Sequence, residues 1–255
     1  MKKHIPNIIT CFNLICGTCA VILTLWGLFH QAFCFILAAA VFDFMDGACA
    51  RALKAYSIVG RELDSLSDLV SFGLAPALMM FNWYYRTTQI PDGNPSILAF
   101  AALLIVPFSA LRLAKFNCDN RQTHSFLGLP TPGCAMIAAS LVSYADICSI
   151  RGLDTTISGL ASSAWFIPAL AVVLSILLIT EIPMFSGKEK MNLRHYVFAG
   201  CAVVIAVLAA IMQGGRLGFF GTVSLIFLLL FCCYILISIL IPAPRTEEPA
   251  EVTGN

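Results

Sequence analysis

Charge is scarce in this chain. Only 11% of its 255 residues are Asp, Glu, Lys or Arg, while 59% are apolar. Soluble domains carry about 25% charged and about 45–50% apolar residues. That deficit excludes a soluble globule and a disordered segment, both of which need polar surface. A nucleic-acid binder is excluded as well: 15 Lys and Arg against 14 Asp and Glu leave a formal charge of +1, with no basic excess to meet a phosphate backbone. The chain also lacks internal repeats, low-complexity stretches and a separate polar module.

Cysteine is plentiful, and its placement matters more than its number. Eleven cysteines would suggest a disulfide framework in a small secreted protein. Most of these lie inside apolar runs, at Cys11, Cys16, Cys19, Cys34, Cys201, Cys232 and Cys233. Cys16 and Cys19 form a C-x-x-C within a presumed span, with no second pair, so they read as small, soft packing residues.

Long apolar runs fill the rest. A membrane span needs about 20 such residues. Hydropathy places spans at about 9–29, 32–54, 66–85, 97–116, 132–150, 164–185, 196–212 and 219–241. Each must be a helix, because unpaired backbone groups are not tolerated in lipid. The expected fold is an all-α polytopic membrane bundle of about eight helices, a single domain over 1–241, with a polar tail over 242–255. Met1-Lys2-Lys3-His4 resembles a signal-peptide n-region, but the apolar stretch after it is too long and an uncleaved first span is expected.

Lys and Arg asymmetry predicts orientation. Lys2, Lys3, Arg51, Lys54, Arg61, Arg112, Lys115, Arg121, Lys188, Lys190, Arg194 and Arg245 fall on one side, and Arg86, Arg151 and Arg216 on the other. Both termini and the basic side are expected in the cytoplasm. Trp26, Tyr84, Tyr85 and Trp165 fall near span ends, as interfacial aromatics do. His4, His30, His124 and His195 lie at ends or loops, and no catalytic role is read for them.

The informative stretch is acidic. Asp43 and Asp46 are three residues apart, and Asp64 and Asp68 four apart, so each pair shares a helix face. The two helices are consecutive and should lie antiparallel, which lets the acidic faces meet near the cytoplasmic surface. Charges inside spans are expensive and mark function. Four carboxylates with only Arg51, Lys54 and Arg61 nearby need further counter-charge. Two hard divalent cations, Mg²⁺ or Mn²⁺, would supply it through oxygen-only ligands. Gly47 and Ala50 lie on the face of Asp43 and Asp46 and leave room for a ligand, while Arg51 offers a fork to phosphate.

Read together, these residues spell D-x-x-D-G-x-x-A-R-x8-G-x-x-x-D-x-x-x-D from Asp43 to Asp68. The pattern resembles the signature of the CDP-alcohol phosphatidyltransferases, at every fixed position and spacing. The resemblance implies an integral membrane enzyme that transfers a phosphatidyl group from CDP-diacylglycerol, or a phosphoalcohol from a CDP-alcohol, to a hydroxyl. It further implies a catalytic core over about 4–185, Asp43, Asp46, Asp64 and Asp68 as metal ligands, and Asp68 as general base. Gly47, Ala50, Arg51, Ser57 and Gly60 are implied contacts of CDP-diacylglycerol, and a homodimer is the implied assembly.

Further segments are similar to the branch of the family that accepts L-serine. They are Asp64-Ser-Leu-Ser-Asp68-Leu-Val-Ser71-Phe72-Gly73, Pro6-Asn7-Ile-Ile-Thr10-Cys-Phe-Asn13 with Gly17, Arg112-Leu-Ala-Lys115-Phe116-Asn117, and Phe126-Leu-Gly128-Leu-Pro130-Thr131-Pro132. Asn7 and Thr10 are expected beside the nucleotide; they also suit a helix start. Arg112, Lys115 and Asn117 are expected to meet the serine carboxylate or the transferred phosphate. The expected partners are CDP-diacylglycerol, L-serine and membrane lipids, in a bacterial inner membrane. Transfer to glycerol phosphate, inositol phosphate or choline, or synthesis of archaetidylserine, is the alternative. An ion transporter is disfavoured, since such proteins often show inverted repeats and midplane charges.

Overall fold

Two apolar helices open the bundle, α1 (His4–Trp26) and α2 (Phe29–Leu53). The computed structural model describes residues 4–88, 96–118, 126–180, 183–184 and 193–240. Pro6 sits in the first turn of α1, where a missing N–H breaks no helical hydrogen bond. Gly27 carries the chain into α2 with φ +80, in the left-handed region open to glycine. Lys54 ends α2 in the same region, with its N–H returned to Arg51. Ser57 then caps α3 (Ile58–Asp68), its Oγ accepting from the Gly60 N–H at 3.0 Å.

Directly after Asp68 the helix widens into a π-helical segment, Leu69–Leu74, and resumes as α4 (Ala75–Thr87). The whole of Ile58–Thr87 is one 30-residue apolar helix, so it begins well before the expected start of the third span at Leu66. π segments are rare and favour functional sites. This one faces α1 at close range: a Cβ at Gly17 would lie 2.7 Å from Ser71 Cα.

A 3₁₀ turn (Ile97–Leu104) leads into α5 (Ile105–Cys118). A two-residue antiparallel ladder pairs β1 (Phe126–Leu127) with β2 (Pro183–Met184). Gly128, at φ +76, turns the chain against the end of α8 (Phe166–Ile179), and Leu129 N–H bonds the Leu177 carbonyl. The central helix is α6 (Thr131–Ile150), buried nearly all round by α2, α4, α8 and the C-terminal part of the helix Leu193–Leu240. Its run of Ala, Ser and Gly lets those neighbours approach closely. The short α7 (Thr156–Ala161) has a capping box from Thr155 and Ser158. The last helix, α9 (Leu193–Leu240), kinks at Gly218, where φ is +69.

Among the described residues, six helices are long and apolar enough to cross a membrane: His4–Trp26, Phe29–Leu53, Ile58–Thr87, Ile97–Cys118, Thr131–Ile150 and Gly215–Leu240. The chain is a multi-pass membrane protein of the all-α class. The expected sixth and seventh spans correspond to shorter apolar helices, Phe166–Ile179 and Ala199–Ile211. Fourteen residues rise about 21 Å at 1.5 Å per residue, short of a hydrocarbon core about 30 Å thick. Among the described residues six spans reach full length, and the expected count of eight is not confirmed there. Trp26, Tyr85 and Trp165 are exposed as expected, whereas Tyr84 turns into the core. The expected polar tail, 242–255, lies outside the described residues, as do Lys2, Lys3, Arg121, His124, Lys188, Lys190 and Arg245.

Candidate active site

One end of the bundle gathers the start of α1, the end of α2, the whole of α3, the end of α5 and the start of α6. The α2–α3 connection is too short to let the helices diverge, so the two acidic faces meet there. Oxygens of Asp43, Asp64 and Asp68 all lie within 4.8 Å of one another. Asp46 stands outside that trio and accepts from Thr10 Oγ1 of α1 at 2.6 Å. Asp46 is 6% exposed and Asp68 8%, while Asp43 and Asp64 are half-buried.

Direct counter-charge is scarce: Arg112 interacts with Asp68 electrostatically without forming an ion pair. Among the described residues, no Lys or Arg forms an ion pair with any of the four aspartates; the ion pairs found are His30–Asp146 and Arg61–Glu62. Asp64 Oδ1 is buried without a hydrogen-bond partner. A buried anionic oxygen with neither donor nor cation is costly. The donor set is oxygen only, which suits a hard divalent cation. The residues therefore fit the metal that the sequence pattern calls for.

The remaining expected residues are placed around this cluster. Gly47 is open: a Cβ there would meet only Arg51 Nη1, at 3.5 Å. The exposed Arg51 guanidinium thus lies over the glycine on the face that Ala50 shares. Asn7 and Gly60 face each other across α1 and α3, where a Cβ on Gly60 would stand 3.0 Å from Asn7 Oδ1. Ser57 is half-buried and serves as the α3 cap. Thr10 is buried, and its hydroxyl also lies 3.0 Å from the Pro6 carbonyl.

The end of α5 contributes from the far side. Arg112 is half-buried, its Nη1 donating to Thr131 Oγ1 of α6 at 3.1 Å, while its Nε is buried without a partner. Asn117 Nδ2 donates to Ser65 Oγ at 2.9 Å, tying α5 to α3. Lys115 is exposed.

Several contributors carry no signal in the acidic pattern. Asn13 Nδ2 donates to Asp68 Oδ1 at 3.2 Å, Ser67 Oγ to the Thr10 carbonyl at 3.2 Å, and Ser71 Oγ to the Asn13 carbonyl at 3.1 Å. Asn13 falls in the first-helix segment that resembles the serine-accepting branch, and its position adds a second clue: a polar amide in an apolar span, three residues after Thr10 and so on the same face.

A multi-pass bundle with an acidic cluster at one end is an arrangement suited to a membrane enzyme that binds a hard cation. The chain matches the family model described as CDP-alcohol phosphatidyltransferase over residues 3–177. It belongs to that family, and phosphatidyl transfer is the class of its chemistry.

Three relatives are named CDP-diacylglycerol–serine O-phosphatidyltransferase. The Bacillus subtilis protein is 39% identical over 134 residues, covering 52% of this chain and 72% of its own. The Mycobacterium leprae protein is 32% identical over 212 residues, covering 80% of this chain and 64% of its own. The Methanocaldococcus jannaschii protein is 28% identical over 203 residues, 80% of this chain and 84% of its own.

Proposed function

We propose that this chain transfers the phosphatidyl group of CDP-diacylglycerol to the hydroxyl of L-serine, giving phosphatidylserine and CMP. The observation that carries the reading is the convergence of the Asp43, Asp64 and Asp68 carboxylates at one end of an apolar bundle. The names of the relatives support serine as acceptor.

Asp43, Asp46, Asp64 and Asp68 are the residues that would hold divalent cations, Mg²⁺ or Mn²⁺, which when bound neutralise the diphosphate and the departing CMP. Gly47 and Ala50 leave the face of α2 open to the diphosphate, and Arg51 beside them donates to its oxygens. Asn7, Thr10, Ser57 and Gly60 frame the cytidine side, with Thr10 acting through Asp46 and Ser57 through the α3 cap. Asp68 accepts the proton of the serine hydroxyl as that oxygen bonds to the phosphatidyl phosphorus and the bond to CMP breaks.

Arg112 is assigned to the serine carboxylate. Its guanidinium has a free Nε and no Asp or Glu ion-paired to it among the described residues. Nη1 already bonds Thr131, so the unpaired Nε is the donor left for an arriving anion. Lys115, one turn on and exposed, adds charge at the mouth, and Asn117 fixes α5 to α3.

The acyl chains lie in the bilayer beside exposed apolar side chains such as Phe12 and Phe44. The site and both termini face the cytoplasm of a bacterial inner membrane, following the basic side of the chain, and the assembly is a homodimer. A reporter fused after Asn255 tests the orientation, and a readout from outside the cytoplasm overturns it. The acceptor is tested with purified protein, CDP-diacylglycerol and a panel of alcohols. Phosphatidylserine from serine alone is the expected product; product from glycerol phosphate, inositol phosphate or choline instead of serine overturns the acceptor.

A further inference from the structure

The first helix holds a polar side chain that the chemistry above does not use. Asn13 is fully buried, and its Nδ2 donates to Asp68 Oδ1 at 3.2 Å. Its backbone is pinned to the third span: Ser71 Oγ donates to the Asn13 carbonyl, and Ser67 Oγ to the Thr10 carbonyl one turn earlier. Gly17, one turn later, has no Cβ to hold α1 off the π-helical segment. The Asn13 amide is thus presented to Asp68 from a backbone with little freedom to shift.

Asn13 Oδ1, in contrast, is buried with no hydrogen-bond partner. A side chain serving packing alone would do better without that oxygen, since an unpaired buried acceptor loses its hydration for nothing. The half of the amide that is satisfied is the half that touches Asp68.

We propose that Asn13 is a positioning residue for phosphatidyl transfer. It engages Asp68 Oδ1, fixes the rotation of the carboxylate, and leaves Oδ2 as the oxygen that takes the acceptor proton. It touches no substrate and acts through Asp68, so the proposal rests on the reading of Asp68 as base.

The test is a double-mutant cycle in detergent-solubilised protein, run with whichever alcohol the wild-type chain accepts. Asn13→Leu keeps the branched skeleton and removes both the donor and the unpaired oxygen; Asn13→Ala is the second variant should the bulkier leucine fail to fold. A partner that orients a catalytic group is worth about 10–100-fold. Asn13→Leu is therefore expected to lower kcat by about 10–100-fold with KM for both substrates within about threefold, the pattern of an interaction realised only in the transition state. Thermal stabilisation by CDP-diacylglycerol with Mn²⁺ should persist. In an Asp68→Asn background, Asn13→Leu should cost less than about threefold more, because its route is already gone.

A wild-type kcat in both Asn13 variants overturns the proposal, and so does a full, additive loss in the Asp68→Asn background. Near-normal turnover of Asp68→Asn alone strikes the base reading and takes the proposal with it. Failure of the wild-type chain with serine alone strikes only the choice of acceptor and leaves the cycle readable.

Discussion

Thr10 Oγ1 of α1 stands 2.6 Å from Asp46 Oδ2 of α2, at a buried point next to the acidic trio. The contact holds Asp46 toward α1 while Asp43 meets Asp64 and Asp68. Hydrogen bonds to charged groups contribute about 1.5–3 kcal/mol. Thr10→Val keeps the shape and removes the hydroxyl. It should raise the Mn²⁺ concentration for half-maximal activity by about 10-fold or more. An unchanged metal titration would mean that Asp46 needs no such restraint.

Metal removal is the broadest check on the site. The four carboxylates have no ion-paired Lys or Arg among the described residues. Exhaustive chelation is expected to abolish phosphatidyl transfer, and added Mg²⁺ or Mn²⁺ to restore it. Full turnover after chelation sinks the metal assignment.

Asp68 should separate from the other three carboxylates. Asparagine at Asp43, Asp46 or Asp64 weakens a ligand, and excess Mn²⁺ should recover part of the rate. Asp68→Asn keeps size and an oxygen but cannot take a proton, and loss of a general base costs about 10²–10⁴ in rate. Turnover should collapse at every metal concentration while CDP-diacylglycerol still stabilises the protein to heat. Recovery to near-normal rates at high Mn²⁺ would make Asp68 a ligand only.

Arg112→Gln keeps a donor for Thr131 and removes the charge. A charge-assisted contact to an acceptor carboxylate is worth about 1.5–3 kcal/mol, so KM for serine should rise by at least about 10-fold. KM for CDP-diacylglycerol should hardly move. Equal increases in both constants would place Arg112 on the nucleotide or in the scaffold.

How much of this was legible depends on the range of the interaction. The paired aspartates and the first apolar spans are local: helical periodicity and short connections determine them, and the structure bears them out, while the Ser57 cap of α3 is seen only in the structure. The sequence pattern could not tell which of four carboxylates would form the close trio, because a helix face is about 100° wide and side-chain direction within it depends on the neighbour.

The sequence by itself determined the class of the molecule, the family and the acidic faces, since lipid forces helices and the motif lies on two adjacent ones. Tertiary structure alone decided that Thr10 reaches Asp46, that Asn13 reaches Asp68, and that α6 is the buried centre. The physical reason is that hydropathy scores an apolar face alike whether lipid or protein covers it. Only docking of α1 on the π-helical segment, through Gly17 and Ser71, sets which polar atoms meet across helices 55 residues apart in sequence.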